Sequence, residues 1–308
     1  MDRLKNLKKV PTQNASAGSP DGISAAQESI PDIQPWAPAI HRPLAATSNR
    51  SSINPQSQIP NPKLQGSPRE PCFVVTLGMM DYNQAWQLQS DIVAAKVNKS
   101  IDRDILLFLE HPAVFTLGRR GGRDYLQVGE PFLERAGIPI VQAERGGYIT
   151  FHGPGQLVVY PIVDLEGRRL GVAEFVEALE EIMLRTVRSW GLNAQRNSKN
   201  AGIWMDSQKM GSIGIALRKG ISFHGLALNV NVDLTPFSWI QPCGLEGVSM
   251  TSIQQELGEE IPMNVIVNTV KKNFQSVLEL DLNDISHSDL QQRLLNRKMP
   301  DPVKPVLA

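Results

Sequence analysis

Two apolar periods alternate along this chain from Pro71 onward. Cys72 to Leu77 is a run of strand formers. Asp81 stands where a helix cap belongs, and Tyr82, Trp86, Ile92 and Val93 then recur on a helical period to about Val97. Ile105 to Leu109 is an unbroken apolar run of strand length, the pattern of a strand buried on both faces. Val114 to Gly118 reads as another strand, followed by a basic loop, Arg119 to Arg123. From Gly171 to Trp190, positions Val172, Phe175, Val176, Leu179, Ile182, Met183, Thr186, Val187 and Trp190 share one helical face. Glu174, Glu177, Glu180 and Glu181 lie mostly off it, and Gly191 suits the C-terminal stop. Strand patterns return at Gly202–Asp206, Met210–Leu217 and Ile221–Val230, with a polar turn at Asp206-Ser207-Gln208. A loop from Trp239 to Gly247 follows, then an amphipathic helix from about Met263 to Leu278 and a short helical stretch at Asp289 to Asn296. Strands outnumber helices and fall into hairpins. The predicted fold is therefore α/β in the α+β sense, a mixed and largely antiparallel sheet flanked by helices.

One stretch breaks these periods. Arg145 to Tyr160 interleaves two glycine groups with β-formers: Arg-Gly-Gly-Tyr-Ile-Thr-Phe-His-Gly-Pro-Gly-Gln-Leu-Val-Val-Tyr. Gly146 and Gly147 permit positive φ or close backbone approach. Tyr148, Ile149, Thr150 and Phe151 form a short strand, Gly153-Pro154-Gly155 turns the chain, and Gln156 to Tyr160 leaves as a second strand. Exposed backbone on a rigid hairpin, between Arg145 and His152, suits the wall of a binding site.

Composition narrows the class. The 308 residues are 41% apolar and 20% charged, enough to bury a large core. Formal net charge is zero, which disfavours a nucleic-acid protein built on a basic face. No apolar run reaches the length of a membrane span, so no membrane partner is expected. The two cysteines, Cys72 and Cys243, have no CxxC or zinc spacing and suit a reducing compartment. Residues 1–68 are rich in Ser, Asn, Pro, Gln and Ala, with apolar residues mostly scattered singly, and are expected to be a disordered, low-complexity extension. Asp2, Asp21, Glu28 and Asp32 argue against a mitochondrial transit peptide there. The expected division is 1–68 extension, 69–282 folded domain and 283–308 polar tail.

Few groups could carry chemistry. Cys243 sits in a Pro-Cys-Gly turn, whereas Cys72 lies in an apolar strand and reads as core. Position alone leaves Cys243 open between nucleophile and small buried hydrophobe. Lys209, just after a hairpin turn, stands open between a solvated side chain and one that stabilises a thiolate or, desolvated, serves as base. His152 and His224 echo one another in Phe-His-Gly sequences and are either ligand-orienting or structural. The arginine loop is either a docking surface or a solvated turn. No histidine pair has metal spacing, and there is no Walker A sequence, GxSxG elbow or dinucleotide fingerprint.

Taken together, these residues resemble the lipoyl(octanoyl) transferases, the octanoyl-[acyl-carrier-protein]:protein N-octanoyltransferases of lipoate synthesis. The resemblance rests on Arg-Gly-Gly-x-x-Thr-Phe-His-Gly-Pro-Gly-Gln-x-x-x-Tyr at 145–160 and on Glu110-His-Pro-x-Val-Phe-Thr-Leu-Gly118. Lys209-x-x-Ser-Ile-Gly214, Phe223-His-Gly-x-Ala-Leu-Asn-Val230 and Pro242-Cys-Gly244 complete it. It covers about Cys72 to Gly258. Met210-Gly211 departs from the residues usual after the lysine, which loosens the packing expected there.

The resemblance implies a biotin/lipoate protein ligase-like catalytic domain with Cys243 as acyl-thioester nucleophile. Lys209 would lower the thiol pKa and move protons. Arg145 to His152, Ser212, Ile213 and Gly214, and Gly225, Leu226 and Ala227 would hold the substrate. It implies octanoyl-acyl carrier protein as donor. The implied acceptors are lipoyl domains of 2-oxoacid dehydrogenase complexes and the glycine cleavage H protein, and an octanoyl or lipoyl group would be transferred without cofactor or metal. It also implies a cytoplasmic bacterial setting. An ATP-dependent ligase on the same fold and a non-catalytic acyl-binding module are the rival classes.

Overall fold

The computed structural model describes residues 70–198, 200–241 and 248–295. The extension at 1–68 and the Pro242-Cys243-Gly244 turn lie outside these residues.

The first strand, β1 (Glu70–Met79), runs parallel to β2 (Asp104–Glu110), whose apolar run is buried as its pattern predicts. Between them α1 (Tyr82–Val97) starts where Asp81 accepts from the amides of Asn83 and Gln84 at 2.9 and 3.1 Å. Its buried stripe is Tyr82, Ala85, Leu88, Ile92 and Val93; Trp86, expected on it, is only half-buried. Antiparallel to β2 lies β6 (Gln156–Ile162), then β10 (Ile221–Asn229), β9 (Gln208–Arg218), β8 (Gly202–Met205) and β7 (Gln195–Arg196). Two further parallel pairings complete this sheet: β12 (Leu280–Asp284) beside β1, and β11 (Ser249–Met250) beside β9. The sheet is thus mixed and mostly antiparallel, as expected. A smaller sheet sets β3 (Val114–Leu117) between β4 (Ile140–Gln142) and β5 (Ile149–His152). Before β4 comes the short α2 (Glu130–Ala136), which the apolar pattern did not reveal.

Helices cover both faces of the large sheet. On one face α3 (Val172–Arg188) and α5 (Met263–Val277) pack Phe175, Leu179, Ile182, Ile266 and Phe274 against Leu106, Phe108, Leu157 and Leu226. Fully burying each such side chain contributes about 1.5–3 kcal/mol. On the other face α1 meets Ile105, Leu107, Val158, Tyr160 and Phe223. A short α4 (Ile253–Leu257) and a final α6 (His287–Leu295) complete the helices of the described residues. The chain stays packed past 282: β12 pairs with β1 through Asp284, and Leu290 of α6 is fully buried beside α1. That stretch was expected to be a polar tail. Its one deeply apolar anchor is too little to register as a pattern.

Candidate active site

Where the glycine loop meets the large sheet, the chain encloses a cavity of about 290 Å³. Arg145, Gly146, Gly147, Tyr148, Ile149, Thr150 and His152 line it from one side. Ser212, Ile213 and Gly214 of β9 and Gly225, Leu226 and Ala227 of β10 line it from the other. Lys209 opens onto the same space. Phe151, expected with these, does not line it. Strand alternation turns its ring into the core of the small sheet, 5.3 Å from Phe115 and 5.5 Å from Phe237.

The sheet side is hollow because its paired residues are small. Ser212 faces Ala227 and Gly214 faces Gly225 across the β9–β10 ladder. At Gly214 a Cβ would come within 3.0 Å of the Gly146 carbonyl oxygen, and at Gly225 it would strike Val159 and Pro161. The glycine loop is in turn laced to the basic loop. Gly118 N donates to Tyr148 O, Arg119 N to Arg145 O and Arg120 N to Gly147 O at 3.1, 2.9 and 3.1 Å. Arg120 lines the cavity with its guanidinium 4.9 Å from the centre of the Tyr148 ring. The basic loop is therefore part of the wall. Arg145 is buried, and its guanidinium donates to the Thr116 carbonyl at 2.6 Å and to the Thr116 hydroxyl at 2.8 Å.

Lys209 is 2% exposed. It reaches the cavity through a count of residues. Gly211 pairs with Ile203 and Lys209 with Trp204, so β9 carries one residue more than β8 between these pairs. Met210 is that extra residue, a β-bulge. Were the strand regular through Met210, alternation would put Lys209 on the side of Gly211, which faces Met183 of α3. The bulge turns Met210 and Gly211 to that side together, so Lys209 shares the side of Ser212. Met210 is completely buried in the helix-side core, so packing after the lysine is tight where the sequence led us to expect it loose. The Lys209 ammonium donates to Asn200 Oδ1 and lies 5.4 Å from the centre of the Trp204 ring. Glu180, the buried carboxylate of α3, accepts from Gly202 N at 2.8 Å and fixes the strand that carries Trp204.

His152 and His224 meet around Tyr82, their rings 6.0 and 6.5 Å from it. His111 joins them, bonded to the Met80 carbonyl and the Tyr160 hydroxyl, each at 2.7 Å. Burial holds all three histidines neutral. It pushes His111 down to about 4 against the Met80 hydrogen bond, and His224 to about 3 with help from Arg145 and Arg119. His152 falls well below its ordinary value through burial, then His111 and Arg145. Burial likewise raises the Tyr82 hydroxyl to about 12.

A polar strut runs behind the cavity. His152 Nδ1 meets Gln156 Oε1 at 2.6 Å, Gln156 Nε2 donates to Asn229 Oδ1 at 2.9 Å, and Asn229 Nδ2 donates to Thr251 O at 2.9 Å. Thr251 N donates to Lys209 O at 3.0 Å. Because the Gln156 amide donates to Asn229, its oxygen faces His152, which places the His152 proton on Nδ1. Sequence reasoning passed over Tyr82, Gln156, Asn200 and Asn229 as site residues. Gln156 and Asn229 lie within the motifs at 145–160 and 223–230, and that was the available signal.

Known proteins share this chain's sequence and its fold. Residues 81–275 match the lipoyl protein ligase A/B catalytic domain. An octanoyltransferase of Desulfotalea psychrophila is 49% identical over 190 residues, spanning 61% of this chain and 85% of its own. One from Syntrophobacter fumaroxidans is 40% identical over 222 residues, covering 72% and 97%. In fold, lipoate-protein ligase A bound with ATP aligns with TM-score 0.58 at 16% identity over 74% of this chain and 93% of its own. The bipartite lipoate protein ligase of Thermoplasma acidophilum aligns with TM-score 0.58 at 17% identity over 74% and 91%. The chain belongs to the lipoyl protein ligase A/B catalytic domain family. Within that family it is an enzyme of the acyltransferase kind.

Proposed function

We propose that this chain is an octanoyltransferase of lipoate synthesis, moving an octanoyl group from acyl carrier protein to a lysine of a lipoyl domain through a thioester on Cys243. The observation that carries the reading is Lys209, a desolvated lysine at one side of a hollow floored by small residues. Its strand neighbour Met250 follows Cys243 by only seven positions, which supports a thiol working beside the ammonium.

The chemistry then balances without a further reagent. The Cys243 thiolate, stabilised by the Lys209 cation, attacks the donor thioester carbonyl. The tetrahedral intermediate expels the carrier's thiolate, which takes a proton from Lys209. The amine of the acceptor lysine attacks the new thioester, its surplus proton passes through Lys209, and Cys243 leaves as thiolate. An amide forms and a thioester is lost. Thioester exchange is nearly even and amide formation runs downhill, so ATP and metal have no part.

The lining residues from Arg145 to His152, excepting Phe151, hold the chain with 212–214 and 225–227. The acceptors are lipoyl domains, among them those of 2-oxoacid dehydrogenase complexes and the glycine cleavage H protein. The relatives named above are bacterial, which supports a cytoplasmic setting. The catalytic body begins near 69 and leaves 1–68 outside it.

Mixing the protein with octanoyl-carrier protein alone tests the scheme. Intact mass should rise by one octanoyl group mapped to Cys243, and Cys243→Ala should show neither adduct nor transfer. Full octanoylation of a lipoyl domain by that variant sinks the acyl-enzyme. A requirement for ATP moves the chain to the ligases.

A further inference from the structure

Part of the cavity wall carries polar groups that the transfer reaction does not use. Both ring nitrogens of His224 and the Tyr82 hydroxyl are buried without a hydrogen-bond partner among the described residues. Both side chains line the cavity and are 1% and 3% exposed. Their rings lie nearly parallel, at 13°, and Tyr160 closes on His224 at 6.0 Å. Buried polar groups in native proteins find partners, so these are aimed at something that enters the cavity.

The backbone bends to aim them. Leu226 and Leu228 of β10, and Val230 just beyond it, point into the helix-side core. Alternation would send His224 the same way. Instead it adopts φ +56°, and its ring lies against Tyr82 on the opposite side. Its amide donates to Gln89 Oε1 at 2.7 Å. A non-glycine residue held left-handed within a strand is strain that the surrounding structure must offset, and such strain gathers at functional sites.

His224 stands far from the reacting lysine. It pairs with Ile215, six positions along β9 from Lys209. The bulge at Met210 takes up one of these, which leaves five strand steps, roughly 17 Å. With C–C bonds near 1.5 Å, a fully extended eight-carbon chain spans on the order of 9 Å and a twelve-carbon chain about 14 Å, so only the longer one comes within contact distance, about 3.5–4 Å, of a group at that range. Between the two lie the small pairs Ser212–Ala227 and Gly214–Gly225. The path suits a straight acyl chain that starts at Lys209 and ends short of His224.

We propose that His224 and Tyr82 form a polar end-plate that sets the upper length of the acyl chain. Water or an oxygen carried on the tail satisfies them. An aliphatic chain long enough to touch them leaves them unpaired. The substrate class is thus a medium-length saturated acyl group, or a longer one ending in a hydroxyl. This inference rests on the acyl-transfer reading above.

The test compares octanoyl-, dodecanoyl- and 12-hydroxydodecanoyl-carrier protein as donors to a lipoyl domain. The intact protein should use octanoyl at a kcat/KM about tenfold or more above dodecanoyl, the penalty of orphaning buried polar groups. The terminal hydroxyl should recover most of that loss. Tyr82→Phe, which removes one oxygen, and His224→Ala should each raise the dodecanoyl-to-octanoyl ratio several-fold. If His224→Ala fails to fold, Tyr82→Phe decides alone. Octanoyl transfer with ratios unchanged in the variants, or dodecanoyl equal to its hydroxy form, overturns the end-plate only. Failure of the intact protein to transfer octanoyl overturns the acyl-transfer reading and the end-plate together.

Discussion

Gln156→Ala should cost far more stability than a polar residue at the first position of a strand, beside a Gly-Pro-Gly turn, suggests. Gln156 is 2% exposed and satisfies three groups: His152 Nδ1 at 2.6 Å, Asn229 Oδ1 at 2.9 Å and Phe151 O at 3.3 Å. Truncation strands at least the first two, both buried, and each orphaned group costs about 1–3 kcal/mol. Adding the small void left by the side chain, the loss should be about 3–5 kcal/mol, a large fraction of the roughly 5–15 kcal/mol that holds a domain. In a domain of this size it should lower Tm by on the order of 10 °C. Urea unfolding followed by circular dichroism should show a lower midpoint with an unchanged slope. Asn229→Ala removes the far side of the same bond, so the double variant should be less damaged than the sum of the two, by about 0.5–3 kcal/mol. A loss under about 1 kcal/mol, or strict additivity, refutes the strut.

Two further outcomes follow from the same geometry. The folded-state pKa values of His111 and His224, about 4 and 3, lie below the ordinary 6.5, so the unfolded chain binds more protons in that window and stability drains as pH falls from about 6.5 toward 4. At pH 5 each should cost on the order of 2 kcal/mol, and urea midpoints that stay level from pH 7.5 to 5 contradict buried neutral imidazoles. Asn200→Asp replaces the amide oxygen that Lys209 contacts with a carboxylate, which should hold the ammonium protonated and move the pH for half-maximal acyl transfer up by about one unit or more. A pH profile identical to that of the unaltered enzyme removes Asn200 from the positioning of Lys209.

Much of this was legible from residue types alone. The helix stripe of α3, the buried run of β2 and the hairpin of β9 and β10 follow from period and turn residues, because each buries its own apolar pattern. The glycine loop could be read as a wall because glycines interleaved with β-formers have few other uses. Less legible were groups whose roles depend on what crosses over them. Phe151 sits inside the richest motif, yet its ring belongs to another core. Asn200 looks like any loop asparagine until Lys209 is folded onto it. Leu290 anchors α6 from a segment too polar to show a stripe. His224 could be named but not aimed, since nothing in Phe-His-Gly announces a left-handed histidine.

The bulge at Met210 has a bearing on how such enzymes diverge. Met210 and Gly211 turn to the helices one after the other, and Lys209 resumes the alternation on the side of Ser212. Deleting Met210 would leave Lys209 opposite Trp204 and Gly211 opposite Ile203 in a regular ladder, so the ammonium would keep its side while the helix-side core lost a fully buried side chain. The extra residue thus adds packing without moving the lysine. The core is stricter about the length of this strand than the cavity is, and a descendant of this chain that lost the bulge would still present its lysine to the acyl group.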